Sequence, residues 1–133
     1  MNIGQLARES RVPIDTIRYY ERLNLIPKAP RTEAGYRNFP SDVVPRLRFI
    51  KRSQELGFSL EEIRELLALK VDPQTTCAKV LHRATEKLSD IDRRVDDLLA
   101  MRRALEKITK SCTGRGPATA CPILENLDSG ALR

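Results

Sequence analysis

Tryptophan is absent from the chain, and aromatic residues make up only 5% of its 133 residues. Hydrophobic residues amount to 41%, which is enough for a core of modest size. No apolar run approaches the ~18–20 residues that a membrane-spanning helix needs. The first residues also lack the basic and apolar regions of a secretory signal. The sequence therefore predicts a protein without a membrane partner that works in the cytoplasm.

Motifs that mark enzymes are missing as well. There is no Gly-rich phosphate loop and no His-Glu-x-x-His motif, and the single histidine, His82, accompanies no Ser or Cys nucleophile motif. His82 follows Cys77 by five residues, so the two do not share a helix face, and we interpret it as a surface or interface residue. The sequence predicts a protein that is not an enzyme.

Basic residues, in contrast, are abundant. The chain has 24 Lys and Arg against 18 Asp and Glu, which gives a formal net charge of +6 and a pI of about 9.5. Residues 31–52 alone hold six basic and two acidic side chains. An excess of this kind favours an anionic partner. A solvated basic face without a nucleic-acid partner is the alternative interpretation.

The pattern of apolar and turn residues predicts a mainly α fold. Two short helices interrupted at residues 10–13, with Pro13 in the first turn of the second, are typical of a helix-turn-helix. Residues 27–40 predict a loop and hairpin, in which Gly35 forms the turn and Tyr36 and Phe39 have strand character, so that the motif is winged. A helical pair is predicted over 41–54 and 59–70, with Ser59 and Glu62 as a capping box.

One long helix is predicted over 76–110, because this stretch contains neither Gly nor Pro. Its apolar residues recur in alternating steps of three and four, which is a heptad repeat typical of a coiled coil. A second copy of the helix is the simplest partner for this seam, so we expect a homodimer. The seam consists of Leu81, Ala84, Leu88, Ile91, Val95, Leu98 and, after Arg102, Leu105.

Basic and aromatic side chains cluster on the second helix of the helix-turn-helix. Arg18 and Arg22 lie one turn apart, where guanidinium groups reach phosphates or the edge of guanine. The hydroxyls of Tyr19 and Tyr20 are suited to phosphate contacts, and the wing adds further basic residues. The predicted DNA contacts are Thr16, Arg18, Tyr19, Tyr20, Arg31, Tyr36 and Arg37.

The three cysteines are candidate metal ligands. Thiolates prefer soft or borderline ions such as Hg(II), Cd(II), Pb(II), Cu(I) and Zn(II). Cys112 and Cys121 bracket a loop with Gly and Pro, whereas Cys77 lies at the start of the long helix, about 50 Å away along its axis. Cys77 meets the other two only if two helices run antiparallel and bring it to the loop of the partner chain. Free structural thiols and a redox sensor are the alternatives, although no resolving partner within the same chain is evident from the sequence.

Four segments resemble the MerR family of transcription regulators. They read TIRYYER at 16–22, RTEAGYR at 31–37, LRFI at 47–50 and LGFSLEEI at 56–63, in the order and spacing of that family. The resemblance covers nearly the whole chain. It implies a winged helix-turn-helix DNA-binding domain with a following helical pair over 1–70, and a long antiparallel dimerisation helix over 76–110. A metal-binding loop and a short C-terminal helix over 111–133 complete the predicted organisation.

The resemblance also implies a mechanism. A dimer of this kind straddles double-stranded promoter DNA whose spacer is too long, and the activated protein untwists it so that RNA polymerase can use it. Such a protein acts as both repressor and activator. By position, Arg18 and Tyr19 would lie on the recognition helix, and Tyr36 and Arg37 would grip the DNA backbone from the wing.

The metal-sensing branch of the family gives a further expectation. Members that sense divalent ions resemble this chain at Cys77, whereas members that sense monovalent copper or silver have Ser there. Three thiolates suit a trigonal site for Hg(II) or Pb(II), while zinc usually takes four ligands. Zinc-sensing members have a Cys where this chain has Ser111, and a loop His that it lacks. Cadmium-type members often have a shorter loop or extra C-terminal Cys and His, which this chain also lacks.

We therefore expect a regulator of a heavy-metal resistance operon that uses Cys77, Cys112 and Cys121, with Hg(II) as the first choice of inducer. The same fold responding to Pb(II), Cd(II) or Zn(II), or to oxidants or electrophiles through Cys112, is the alternative. A metal-binding protein without a regulatory role is the least favoured.

Overall fold

A computed structural model describes residues 1–30, 33, 35 and 38–129 of the chain. As predicted, the described residues are mainly α-helical, although they form no strand. Within them, six α-helices follow one another, and a 3-10 turn at Ala118–Ala120 precedes the last of these helices. The helices are α1 (Ile3–Ser10), α2 (Ile14–Arg22), α3 (Val43–Glu55), α4 (Leu60–Val71), α5 (Cys77–Thr109) and α6 (Pro122–Asp128).

The helix-turn-helix is formed by α1 and α2. Asn2 and Gln5 form a capping box that starts α1, and Arg11 ends it in a left-handed conformation with φ of 60°. The Ser10 hydroxyl donates to the carbonyl of Leu6 at 2.7 Å and accepts from the N–H of Val12 at 3.3 Å, which fixes the turn. Pro13 is the N-cap of α2 rather than part of its first turn, so that helix begins at Ile14.

One hydrophobic core holds the first part of the chain together. The contacts of α1 with α2 and α3, and of α3 with α4, surround side chains that are almost entirely removed from water, including Leu6, Ile17, Leu47 and Ile63. Burial of this kind is the main stabilising term of a small domain.

The segment before α3 departs from the prediction. Phe39 is not in a strand. Its N–H donates to the Met1 carbonyl at 2.7 Å, and its carbonyl accepts from the terminal ammonium at 2.8 Å. Its ring is buried in the core instead. Gly35 has φ of 84°, as a turn residue should. Five residues of the predicted wing fall outside the described residues: Arg31, Thr32, Ala34, Tyr36 and Arg37.

The helical pair α3 and α4 begins and ends close to the predicted positions. Gly57 has φ of 91°, a conformation that favours glycine, and separates the two helices. The capping box of α4 is present, since Ser59 Oγ accepts from the N–H of Glu62 at 3.1 Å and Glu62 Oε1 accepts from the N–H of Ser59 at 2.9 Å. The predicted helical pair and the predicted capping box are both confirmed.

The long helix α5 contains 33 residues, close to the predicted 76–110. The chain divides into two compact units, Met1–Arg83 and Ala84–Arg133, so the boundary between these units lies within α5. The first unit contains the helix-turn-helix and its core. The second contains most of α5, the loop that bears two cysteines, and α6. Within the described part of the chain, no helix has the length and apolarity that a membrane crossing requires.

Candidate DNA interface and metal loop

The outer face of α2 presents the polar residues that the sequence singled out. Arg18 is exposed and Thr16 is half-buried. Tyr19 keeps 43% of its surface exposed, and the guanidinium of Arg22 stacks over its ring at 5.7 Å from the ring centre. A cation held over an aromatic ring is partly ordered before any ligand arrives. This face offers cations, a phenolic hydroxyl and a small hydroxyl to an anionic surface.

Tyr20 has a different environment from the one predicted. It is only 3% exposed, and its hydroxyl donates to the side-chain oxygen of Gln54. Burial, and to a lesser extent the neighbouring Tyr19, raises the pKa of this hydroxyl. The assignment of Tyr20 as a phosphate contact is therefore corrected: in α2 it lies three residues after Ile17, on the buried side of the helix.

Replacement of Tyr20 by Phe tests this correction. We expect Tyr20→Phe to lower the free energy of unfolding by about 1 kcal/mol, which is the usual net contribution of one hydrogen bond. Affinity for duplex DNA should not change, because the hydroxyl faces Gln54. Chemical denaturation and a DNA-binding titration measure the two effects. The control is Tyr19→Phe, whose exposed hydroxyl contributes no core bond; weaker DNA binding by Tyr20→Phe at unchanged stability would contradict this placement.

Three of the predicted DNA contacts, Arg31, Tyr36 and Arg37, lie outside the described residues. The described residues Pro30 and Asn38 flank the segment that contains these three residues. The N–H of Asn38 donates to the carbonyl of Pro30 at 3.0 Å, so the two ends of the segment are joined. Asn38 also accepts a hydrogen bond from the terminal ammonium of Met1 at 2.7 Å.

Several basic residues of α3 and α4 have a structural role that sequence reasoning missed. Arg48 and Lys51 donate to the carbonyls of Glu9 and Arg11, each at 3.0 Å, at the end of α1. Arg46 and Arg64 donate in the same way to the carbonyls of Leu25 and Leu23, at 2.7 and 2.6 Å, just after α2.

Cations are favourable at these places, because the last carbonyls of a helix have no partner within the helix and carry partial negative charge. The sequence shows the spacing of such cations along their own helix, but not the helix end that each one meets.

The loop between α5 and α6 brings two of the three cysteines together. The Cys112 side chain lies near enough to Cys121 to lower the pKa of its thiol, and the sulfur of Cys112 accepts from the N–H of Gly114 at 3.4 Å. Gly114 and Gly116 have φ of 77° and 98°, values that let the loop turn back on itself. The two thiols that bracket the loop are thus neighbours within one chain.

Backbone donors at the start of α6 stabilise the thiolate of Cys121. Its pKa is lowered by the N–H groups of Leu124 and Ile123 and by the side chain of Cys112, against opposing contributions from desolvation and Glu125. The contacts fall short of a regular side-chain cap, but donors facing a sulfur favour its charged form. The thiolate is the form that binds metal, so the donor set suits a thiophilic ion.

Cys77 is exposed at the first residue of α5, and the loop follows the last residue of the same helix. At 1.5 Å per residue, a helix of 33 residues is about 50 Å long, which keeps the first and last residues of α5 far apart. Within the described part of one chain, no three His, Cys, Asp or Glu side chains are grouped for a metal ion.

The heptad seam of α5 is exposed in the single chain. Leu81, Leu88, Leu98 and Leu105 keep 67%, 60%, 62% and 56% of their surfaces in contact with solvent. Large apolar side chains in a row at this exposure form the kind of patch that marks an interaction surface.

Comparison with known proteins gives two family matches. Residues 1–70 match the family described as "MerR HTH family regulatory protein", and residues 44–108 match the one described as "MerR, DNA binding". Together the two matches extend from the start of the chain to the end of α5.

Individual proteins are similar over almost the full length. The HTH-type transcriptional regulator ZntR of Escherichia coli (strain K12) is 40% identical over 131 residues, which cover 97% of this chain and 93% of the relative. The transcription regulator PbrR691 from Ralstonia metallidurans CH34, solved in complex with lead(II), has a TM-score of 0.82 at 31% identity and covers 96% and 98% of the two chains. The dual function transcriptional regulator MerR of Bacillus megaterium MB1, solved in complex with mercury(II), has a TM-score of 0.71 at 39% identity and covers 96% and 99%.

Proposed function

The chain belongs to the MerR family of transcription regulators, and from that premise we propose that it is a dimeric, metal-responsive regulator whose inducer is Hg(II). This family consists of transcription regulators rather than enzymes, in agreement with the sequence prediction. The observation that carries the proposal is the pair of neighbouring cysteines in the loop after α5, where backbone N–H groups and the Cys112 side chain lower the pKa of Cys121. Two neighbouring thiols, with donors that stabilise a thiolate, would supply two of the three ligands of a three-thiolate site.

Cys77 of the second chain is the proposed third ligand. It is exposed at one end of α5, while the loop lies at the other, and an antiparallel pair of such helices brings opposite ends together. A site shared in this way would respond directly to how the two subunits are arranged. Binding that is stronger in one arrangement than in the other then shifts the dimer toward it.

The choice of Hg(II) depends on the number and kind of ligands. Three soft thiolates without a fourth ligand favour Hg(II) and then Pb(II), because Zn(II) usually completes a tetrahedron. No histidine lies in the loop, since the only one in the chain is His82. One similar protein was solved with mercury(II) and another with lead(II), and both ions are thiophilic.

A competitive titration of the reduced protein with Hg(II), Pb(II), Cd(II) and Zn(II) tests this choice. Thiolate-to-metal absorption reports the number of sulfurs bound. One Hg(II) per subunit, held in preference to the other three ions, is the expected result. Tight Zn(II) or Cd(II) binding in tetrahedral geometry would show that a fourth ligand exists and that the choice of Hg(II) is wrong.

The proposed target is palindromic promoter DNA. The half-buried Thr16 and the exposed Arg18 and Tyr19 on α2 would contact it, together with Arg31, Tyr36 and Arg37 of the predicted wing. We further propose that the metal-bound dimer untwists the promoter so that RNA polymerase can use it, and that the metal-free dimer represses.

Replacement of Arg18 by Ala is the sharpest test of the DNA interface. We expect Arg18→Ala to weaken binding to a duplex selected by the protein from a randomised pool by about 1–3 kcal/mol, the usual value for an arginine that reads a base. Metal uptake should be unchanged, because Arg18 and the loop cysteines belong to different compact units. Fluorescence anisotropy at fixed salt measures the affinity.

The matched control is Arg103→Ala, which removes the same charge from an exposed position of α5. Equal losses in the two variants would indicate a general effect of charge and would count against a recognition role for Arg18. A wild-type protein that selects no duplex from the pool would instead favour a metal-binding protein without a regulatory role.

The nearness of Cys112 to Cys121 also favours a second candidate function, a sensor of oxidants. The sequence suggested no resolving cysteine within the same chain, but the lowering of the Cys121 pKa by the Cys112 side chain supports Cys121 in that role. Peroxide would convert one thiolate to a sulfenic acid, and the second thiol would displace water to close a disulfide. Transcription that Hg(II) activates in excess reductant, and that peroxide leaves unchanged, would exclude this candidate.

A further inference from the structure

The order of steps along the exposed seam of α5 reads the same in both directions. From Leu81 to Leu105 the steps are three, four, three, four, three, four and three, provided that Arg102 is counted as a seam position. The pattern is therefore symmetric about residue 93. A second copy of the helix that runs in the opposite direction, with its centre at the same residue, meets this face position for position.

In that register the seam residues pair across the dimer in a specific way. Leu81 faces Leu105 of the second chain, Leu88 faces Leu98, and Ile91 faces Val95. The remaining pair is Ala84 with Arg102, the smallest seam side chain with the largest. Every apolar pair combines two large side chains, and the arginine meets the one position that leaves room for it.

Arg102 already has a counter-ion on its own helix. Its Nε donates to Glu106 Oε1 at 2.8 Å, one turn further along α5. A charged group at an interface is costly unless it is paired, and this pair lies within one chain. Arg102 can therefore lie beside Ala84 of the second chain without requiring an acidic partner from it.

In other pairings of the same two helices, Arg102 faces a side chain that is less compatible with it than Ala84. A shift of one heptad sets Arg102 against Ile91 of the second chain, and the opposite shift sets it against Cys77. A parallel pair sets two arginines directly against each other, since equivalent positions meet in parallel coiled coils. Polar residues at single seam positions are known to specify register at some cost in stability.

We propose that Arg102 and Ala84 fix the register of an antiparallel dimer centred on residue 93. This inference rests on the proposed function, because it specifies how the proposed dimer assembles the proposed metal site. In this register Cys77 lies opposite Thr109 of the second chain. Thr109 is the last residue of α5 and precedes Cys112 by three residues. Either shifted register moves Cys77 two helical turns along the partner, away from the end of that helix.

Cysteine cross-linking tests the register without metal or DNA. Three double variants are made in full-length protein with Cys77, Cys112 and Cys121 replaced by serine, and each pair reports one register. Leu81→Cys with Leu105→Cys reports the proposed register. Leu88→Cys with Leu105→Cys and Leu81→Cys with Leu98→Cys report the two shifts. Single Leu88→Cys reports a parallel pair, because in the proposed register two copies of residue 88 are about 15 Å apart.

The first pair should give intersubunit disulfides in roughly tenfold excess over either shifted pair, the ratio that a difference of about 1.4 kcal/mol produces. In an Arg102→Leu background the shifted pairs should rise to a comparable yield, because that substitution removes the constraint while leaving an apolar seam. Arg103→Leu, off the seam, should leave the distribution of cross-linked pairs unchanged.

Dominance of a shifted or parallel pair, or an Arg102→Leu variant that changes nothing, would overturn the proposal. Failure of the metal or DNA experiments would leave this cross-linking pattern unaffected, so the two can be distinguished.

Discussion

Replacement of Cys77 by serine is expected to abolish tight Hg(II) binding at a site whose other two thiols lie beyond the far end of the same helix. A hydroxyl does not replace a soft thiolate. Loss of an outer-shell group alone costs about 10–100-fold in metal affinity, so loss of a ligand should cost more than about 100-fold. DNA binding should remain intact, because Cys77 is remote in sequence from the helix-turn-helix. A competitive Hg(II) titration and a DNA titration on the same sample measure both effects.

Mixing of two inactive variants shows whether the site is shared. One variant carries Cys77→Ser, and the other carries Cys112→Ser with Cys121→Ser. Each homodimer lacks a complete set of thiols, but a mixed dimer has one intact set if the ligands come from different chains. Recovery of tight Hg(II) binding after subunit exchange supports the shared site, whereas no recovery contradicts it. Ala78→Ser, at the exposed neighbour of Cys77, is the matched control and should bind Hg(II) normally.

A charge within the seam should have the second large effect. Leu98→Glu places a carboxylate opposite Leu88 of the second chain, twice in each dimer, and an unpaired charge in an apolar interface is strongly destabilising. We expect the dissociation constant of the dimer to rise at least about 100-fold, the change that about 2.7 kcal/mol produces. Analytical ultracentrifugation over a range of concentrations measures it. Metal and DNA binding should be lost together, since both need the dimer.

The matched control adds the same charge to the same helix outside the seam. Ala100→Glu occupies an exposed position two residues further along α5 and should leave the dimer intact. Similar dissociation by both variants would indicate a general effect of charge on the helix. An unaffected Leu98→Glu dimer would show that the seam is not the interface.

The helices could be predicted from the sequence because their signals are local. Ser59 and Glu62 satisfy the N-terminal end of α4 within four residues, and the heptad steps of α5 repeat from Leu81 to Leu105. The exposure of that seam is consistent with the expectation that α5 needs a partner. Identification of Arg18 and Tyr19 as surface residues likewise follows from helical spacing in a short amphipathic segment.

The errors arose where long-range contacts decide the environment of a residue. Tyr20 is adjacent in sequence to an exposed tyrosine, but its hydroxyl bonds to Gln54, which only the packing of α2 on α3 brings near. Phe39 was expected in a strand, whereas its ring is buried in the core and its backbone hydrogen-bonds to Met1. The nearness of Cys112 to Cys121 was not an error, but it depends on how the loop turns at Gly114 and Gly116, which spacing alone does not determine.

The cations that cap α1 and the end of α2 bear on how salt affects the protein. Binding to DNA releases the counterions of each phosphate that the protein neutralises, and the salt dependence of affinity counts those phosphates. Arg46, Arg48, Lys51 and Arg64 direct their donors to backbone carbonyls of their own chain. The net charge of +6 therefore does not give the number of counterions that the complex displaces. The whole charge draws the protein toward DNA, but the smaller set of cations that face the duplex sets how steeply salt weakens the complex.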